Sequence, residues 1–317
     1  VLRYGGFGDA IQTISILPWL KEQGYHITMY TVPNAWEVIK HDPHIDDVIL
    51  QDVEQIPNYQ LGEFWAHTRK KYEKWVNLSE SIERTLLALP GNIAHGWPHE
   101  VRHARMNVNY MEFIHAIAEV PLPPRIKFYP TAAEESWARG EVAKLGGKVI
   151  LWLLSGSAVH KTWAHFDGAV ARITEDPSVH VILCGDKIGK KLEEGWEDHP
   201  QVHCWSGKTT IRESMAMAQV CDLVVGPETG VLNAIACEDV PKVVTMSHSS
   251  VENLTRDWVN CVSLTPANTS CYPCHQLHFS FEHCRESKDR PGVAACQFDI
   301  SEDSMVTAIE GLLWSGK

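Results

Sequence analysis

Three short segments of this 317-residue chain place glycines or other small residues beside a charged side chain, each where an apolar run gives way to a helical pattern. In the first, Gly5-Gly6-Phe7-Gly8-Asp9 precedes Ile11, Ile14, Leu17 and Leu20 at helical spacing, with Pro18 as an expected kink. Glycines there allow a tight turn and close approach of a ligand to the backbone, and a helix N-terminus favours negative charge. Asp9 reads either as a plain helix cap or as a carboxylate at a cleft rim, able to act as a general base. The second, Ser155-Gly156-Ser157 followed by Lys161-Thr162-Trp163, comes after the apolar run Lys148–Leu154. Small residues offer backbone N–H groups to a phosphate and Lys161 a point charge, although a solvated loop lysine has the same pattern. The third, Gly226-Pro227-Glu228-Thr229-Gly230, opens a helix over Val231–Cys237. Its Thr229 and Gly230 N–H groups suit a diphosphate, and Glu228 can accept hydrogen bonds from sugar hydroxyls, while the same residues also make an ordinary turn and cap. None of the three is a Walker A loop, and the first lacks the third glycine of the dinucleotide fingerprint, which disfavours a nicotinamide oxidoreductase.

A fourth cluster is made of thiols. Cys271-Tyr272-Pro273-Cys274, Cys284 and Cys296 are interleaved with His275, His278 and His283. Four thiolates in this arrangement can hold a structural zinc, with free thiols, disulfides or an iron–sulfur cluster as alternatives. The other five of the nine cysteines (Cys184, Cys204, Cys221, Cys237 and Cys261) are scattered in apolar segments and read as small core residues. Dispersed reduced cysteines fit a cytoplasmic protein.

The elements that must position these segments are an alternation of strands and helices. In the second half, Lys148–Leu154, 180–185, 202–205, 223–226, 242–247 and 261–266 are short apolar runs of the length of buried strands. Helical patterns separate them, one opened by the capping box Thr210-Ile-Arg-Glu213. This predicts an α/β fold with a doubly wound parallel sheet covered on both faces. The first half repeats the theme with strands at 26–31, 47–50 and 75–78, a helix capped by Ser79 and carrying Ile82, Leu86 and Leu89, and another over 106–118. The Pro-rich stretch around Pro121–Pro124 and Pro130 marks a boundary. Two Rossmann-like domains facing a cleft follow, 1–128 and 129–300, with the Cys-rich segment 271–296 in the second. A last amphipathic helix within 301–317 is expected to be able to pack back on the first domain.

Composition narrows the classes. Charged residues make up 21% of the chain and hydrophobic residues 44%, as in globular proteins, and no apolar run is long enough to span a membrane. A net charge of -12 disfavours an extended nucleic-acid surface. Trp65 and Trp75 flank Arg69-Lys70-Lys71, which reads as a solvated amphipathic helix or as a stacking platform. His95–His99 and Arg102–Arg105 are placed in a first-half loop whose cationic groups could meet a phosphate. The chain opens at Val1 in what reads as the end of a strand, so its natural start is expected further upstream.

The ordered set of Gly-x-Gly-Asp with Ile11 and Pro18, Ser-Gly-Ser with Lys-x-Trp, and Glu-Thr-Gly ahead of Val240-Pro241 resembles glycosyltransferase family 9, the ADP-heptose:lipopolysaccharide heptosyltransferases and their relatives. The Cys-x-Pro-Cys segment recurs in some members. The resemblance implies a GT-B fold and metal-independent inverting transfer of a hexosyl- or heptosyltransferase type. It puts the base on Asp9, the phosphate-contacting lysine on Lys161 and the donor loop on Glu228-Thr229-Gly230. Gly8, Ser155, Gly156, Ser157, Asn233 and His248 complete the expected donor site. The implied donor is a nucleotide-diphosphate sugar, ADP-sugar first, and the implied acceptor a glycan or lipid-linked saccharide, which would place the protein peripherally at the inner membrane face. Glu228 stands where the family usually has Asp, and Asn233 where it usually has His. Transfer to a hydroxymethylated DNA base and a catalytically silent sugar-nucleotide or glycan-binding homologue are the rival readings.

Overall fold

The computed structural model describes residues 1–52 and 55–314. In the second half, six strands form one wholly parallel sheet: β3 (Lys148–Leu153), β4 (Val179–Cys184), β5 (Val202–Cys204), β6 (Leu223–Pro227), β7 (Lys242–Thr245) and β8 (Cys261–Leu264). Their order is β5-β4-β3-β6-β7-β8, so the chain reverses its direction of travel across the sheet between β3 and β6. The loops leaving those two strands carry the serine–lysine and Glu-Thr-Gly segments. A crevice opens at such a reversal because the two loops lead to helices on opposite faces.

The first half is built more sparsely. Strands β1 (Thr28–Thr31) and β2 (Asp47–Leu50) pair in parallel, and Leu2 bridges Tyr30 on one side and Asn77 on the other. The helix Phe7–Thr13 gives way to a 3-10 turn, Ile14–Ile16, and resumes as Leu17–Glu22 with Pro18 in its first turn, the expected break. Fixed φ and a missing N–H make proline acceptable at that restart and nowhere further along.

The two halves share a core. Ile11, Leu17 and Met29 belong to one apolar cluster with Met215, Leu232 and Val244 of the second half. A second cluster lies on the other face of the six-stranded sheet and includes Trp163, Phe166, Met305, Ile309 and Leu313.

Several expectations are corrected. Ser79–Leu89 is a series of turns and not a helix: Glu80 and Arg84 sit at φ 61° and 79°, and the N–H groups of Leu86 and Leu87 both turn back onto the Ile82 carbonyl. Ile82 and Leu86 are still buried and Leu89 is half-buried, so the spacing located the inward face but not the backbone. The helix expected over 106–118 is two, His99–Met106 and Tyr110–Ala118, the second capped by Asn109, whose side chain accepts from the N–H groups of Met111 and Glu112. The His/Arg segment read as a loop is therefore half helical. The last helix, Glu302–Trp314, does not return to the first domain. It packs on Phe166–Ile173 and on β6 to β8, and Arg172 pairs with Glu302 and Asp303. Among the described residues no helix is long and apolar enough to cross a membrane.

Candidate active site

Eleven expected site residues come from four separate stretches of chain, and all of them line one cavity of about 730 Å³ between the halves. The first half contributes Gly8 and Asp9. Asp9 is the third residue of its helix, not the cap; its Oδ2 accepts from the Gly6 N–H at 2.8 Å and closes the first turn. Its Oδ1 lies 2.9 Å from Arg3 Nη2, and the side chain keeps 30% of its surface exposed. Gly5, at φ 134°, must be glycine, since a Cβ there would fall 2.6 Å from Asp9 Oδ2. The opposing helix, Gly230–Ala234, comes so close that a Cβ on Gly230 would sit 3.1 Å from the Gly8 nitrogen.

The second half contributes the rest. Lys161 is half-buried, and Gly156 lets its stem pass: a Cβ on Gly156 would fall 2.8 Å from Lys161 Cδ. Burial lowers the Lys161 pKa, and the charges of Glu228 and Asp9 oppose that shift. The lysine thus feels the charge of a carboxylate from each half. Ser155 Oγ donates to Asp186 Oδ1 at 3.1 Å. Thr229 caps its helix by accepting from the Leu232 N–H.

Glu228, Asn233 and His248 line the cavity, and each is tied to other parts of the protein. Glu228 is buried; its Oε1 accepts from the Ser247 N–H at 2.7 Å, the Ser247 hydroxyl and the Ser249 N–H, and its Oε2 lies 2.8 Å from His248 Nδ1. Burial alone would raise its pKa, but His248, Lys161 and the Ser247 N–H outweigh it and hold the carboxyl at about 2. The carboxylate therefore ties down the loop after β7. Asn233 Oδ1 accepts from Gln12 Nε2 of the first half at 3.1 Å, and its Nδ2 donates to the Thr229 carbonyl at 2.9 Å. It is a clamp between the halves.

Sequence reasoning missed Arg3, Gln12, Glu83, Tyr110, Asp186 and Thr209; all but Arg3 line the same cavity. Asp186 carried a signal, an acidic residue directly after the β4 run and its Gly185, the position from which a nucleotide-binding fold addresses ribose. Glu83 carried none. The aromatic residues near Arg69–Lys71 pack among themselves: Trp65 Nε1–H donates to Tyr4 Oη at 3.4 Å, and Trp75 packs against Tyr30 and Tyr72.

Cys271, Cys274, Cys284 and Cys296 line a second cavity of about 70 Å³ together with His160, His278 and His283. All nine cysteines are free. Burial raises the pKa of each of the four, to about 12 for Cys274 and Cys284. Among the described residues no three or more His, Cys, Asp or Glu side chains are arranged to hold a metal ion as they stand.

The glycosyltransferase family 9 (heptosyltransferase) model matches residues 69–284, a span that contains Lys161 and the Glu-Thr-Gly loop but not Asp9. No curated protein matches the chain. Among solved structures it resembles the ADP-heptose lps heptosyltransferase II of E. coli, at 15% identity over 99% of this chain and 98% of that one, with a TM-score of 0.65. A glycosyl transferase family 9 protein from Veillonella parvula gives 16% identity, 99% and 97% coverage and a TM-score of 0.67. The iron-containing dodecameric glycosyltransferase TibC from enterotoxigenic E. coli gives 13% identity, 100% and 76% coverage and 0.64. With two parallel α/β layers around one cleft and a family match over more than half its length, the chain belongs to glycosyltransferase family 9, the heptosyltransferase family.

Proposed function

We propose that this glycosyltransferase moves a sugar, with inversion, from a nucleotide-diphosphate donor to a hydroxyl acceptor, with Asp9 as the base and Lys161 on the diphosphate. The observation that carries this reading is the convergence of Asp9 from one half and Lys161 from the other on a single cavity. Departure of the nucleotide leaves negative charge on the diphosphate. The Lys161 ammonium and the N–H groups around Ser155–Ser157 and Thr229–Gly230 offset it, so the chemical step needs no metal. Asp9 takes the proton of the incoming hydroxyl from the opposite face, and one displacement inverts the anomeric carbon. Glu228 and Asn233 act here by fixing the loop and the clamp that shape the donor site, and His248 faces the donor with its Nδ1 held by Glu228.

An ADP-sugar is the first donor to test, because relatives are described as ADP-heptose enzymes. A surface glycan or lipid-linked saccharide is the proposed acceptor. Thermal shift against ADP, UDP, GDP, CDP and dTDP without added metal tests the donor site. Selective stabilisation by ADP, growing with ligand concentration, is expected. No stabilisation by any of the five would favour a silent glycan-binding homologue.

The four clustered cysteines fit a structural zinc by their chemistry: four soft donors around one small cavity, each thiol kept neutral by burial until a cation arrives. The iron-containing relative makes iron the alternative. Elemental analysis of the purified protein, repeated on C271S, distinguishes zinc, iron and free thiols.

A further inference from the structure

The residue behind Asp9 poses a problem for a base. Arg3 is almost wholly buried, and a carboxylate fully paired with a buried guanidinium is a poor proton acceptor. The structure divides that guanidinium between two carboxylates. Glu83 takes two of its bonds, Nη1 to Oε2 at 2.8 Å and Nη2 to Oε1 at 3.0 Å, while Asp9 receives one contact at Oδ1. Arg3 Nη1 also donates to the Leu78 carbonyl at 2.8 Å, which fixes the cation beneath the turn that carries Glu83. Glu83 lines the donor cavity with Asp9 but has been given no part in the reaction so far.

We propose that Glu83 is a positioning residue for the base, acting through Arg3: it occupies the two-bond face of the guanidinium, so that Asp9 is oriented by the arginine without being neutralised by it. One cation serving two carboxylates leaves the pair with an excess negative charge toward the acceptor side. The groups facing Glu83 agree with this. Arg3 comes from the first strand segment, Asp9 from the helix Phe7–Thr13 and Tyr110 from the helix Tyr110–Ala118; on its own turn Glu80 and Arg84 pair with each other. Lys161, across the cavity, acts on Asp9. Burial and the Asp9 charge raise the Glu83 pKa against the pull of Arg3, which is the mark of two carboxylates that feel one another. The unusual backbone of the Ser79–Leu89 turns also gains a reason, because a helix there would carry Glu83 in a different direction.

This inference rests on the reading of Asp9 as the base, and the test separates the two. In protein carrying 13C-labelled Asp and Glu carboxyls, the Glu83 signal is assigned by its loss in E83Q and titrated in wild type and in D9N. Its midpoint is expected above that of an ordinary glutamate and lower in D9N; an unmoved midpoint in D9N overturns the pairing, whatever the activity. In a second arm, ADP release from ADP-heptose is followed with water as acceptor. E83Q is expected to slow it about 10- to 100-fold with ADP affinity unchanged, and E83D to restore part of the rate. Full turnover in E83Q while D9N is dead overturns the positioning role alone. Full turnover in D9N overturns the base reading itself. Should E83Q fail to fold, the wild-type and D9N titrations still decide, with E83D supplying the assignment.

Discussion

The two walls of the cleft are made differently. The donor wall rests on six parallel strands whose loops leave in register, so Ser155–Ser157, Lys161 and Glu228–Gly230 are held by a sheet buried on both faces. The acceptor wall rests on two short strands, the two bridges of Leu2 and the Ser79–Leu89 turns, with Asp9 fixed by one helix turn and one arginine. Rigid scaffolding stands under the proposed diphosphate site, and side-chain tethers stand around the proposed base. The comparison therefore predicts that substitutions on the donor wall lose donor affinity and those on the acceptor wall lose rate.

The largest effect is expected from D9N, which should lower transfer about 100- to 10,000-fold, the usual contribution of a general base, while ADP binds as before. Calorimetric ADP titration beside a transfer assay checks both halves of that statement, and a weakened ADP affinity would break the division between the walls. Next comes K161A, expected to weaken ADP about 10- to 100-fold through loss of a charge-assisted contact and to leave adenosine binding unchanged. Its pH dependence has a definite sign. Burial lowers the lysine pKa, so the ammonium is lost as pH rises through that lowered value, and ADP affinity falls with it; the variant should lack this alkaline loss. Calorimetry across the alkaline range reads the difference.

A smaller effect is expected on stability from E228Q. The carboxyl is held at about 2 in the folded protein against an ordinary 4.5, so its contribution is full above the unfolded value and disappears as pH falls through the folded one. Wild type should exceed E228Q by about 1–3 kcal/mol at neutral pH, and the gap should close between those two values. Denaturant unfolding at neutral and acid pH measures it.

The same contrast explains what could be read from the chain beforehand. All six strands of the second sheet were legible as apolar runs, and the central four, β3, β4, β6 and β7, are buried on both faces. The turns over Ser79–Leu89 were not: Ile82, Leu86 and Leu89 have helical spacing, but Glu80 and Arg84 take a left-handed backbone, and Arg3 reaches Leu78 and Glu83 from far along the chain, a link no local preference announces. His248 was expected at the donor site, but its burial was not legible, because its partner Glu228 is twenty positions away in sequence and 2.8 Å away in space. The motif residues were found because their chemistry is local. Arg3 and Glu83 were missed because theirs exists only once the chain is folded.

The mildest substitution bears on the one missed residue whose signal was local. Asp186 Oδ1 accepts from the N–H groups of Ile188 and Gly189 and from Ser155 Oγ, capping the helix Lys187–Leu192, while among the described residues its Oδ2 makes no hydrogen bond. An exposed carboxylate oxygen at the end of β4, in the wall that carries the diphosphate loops, suits a ribose hydroxyl. D186N keeps the capping oxygen and so should fold normally, but it exchanges a charged acceptor for an amide. ADP affinity should fall about three- to tenfold. The decisive comparison is with 2',3'-dideoxy-ADP, which wild type should bind more weakly than ADP and D186N nearly as well as ADP. If both proteins discriminate equally, the nucleoside lies elsewhere along the sheet, and the rigid wall would be a diphosphate site alone.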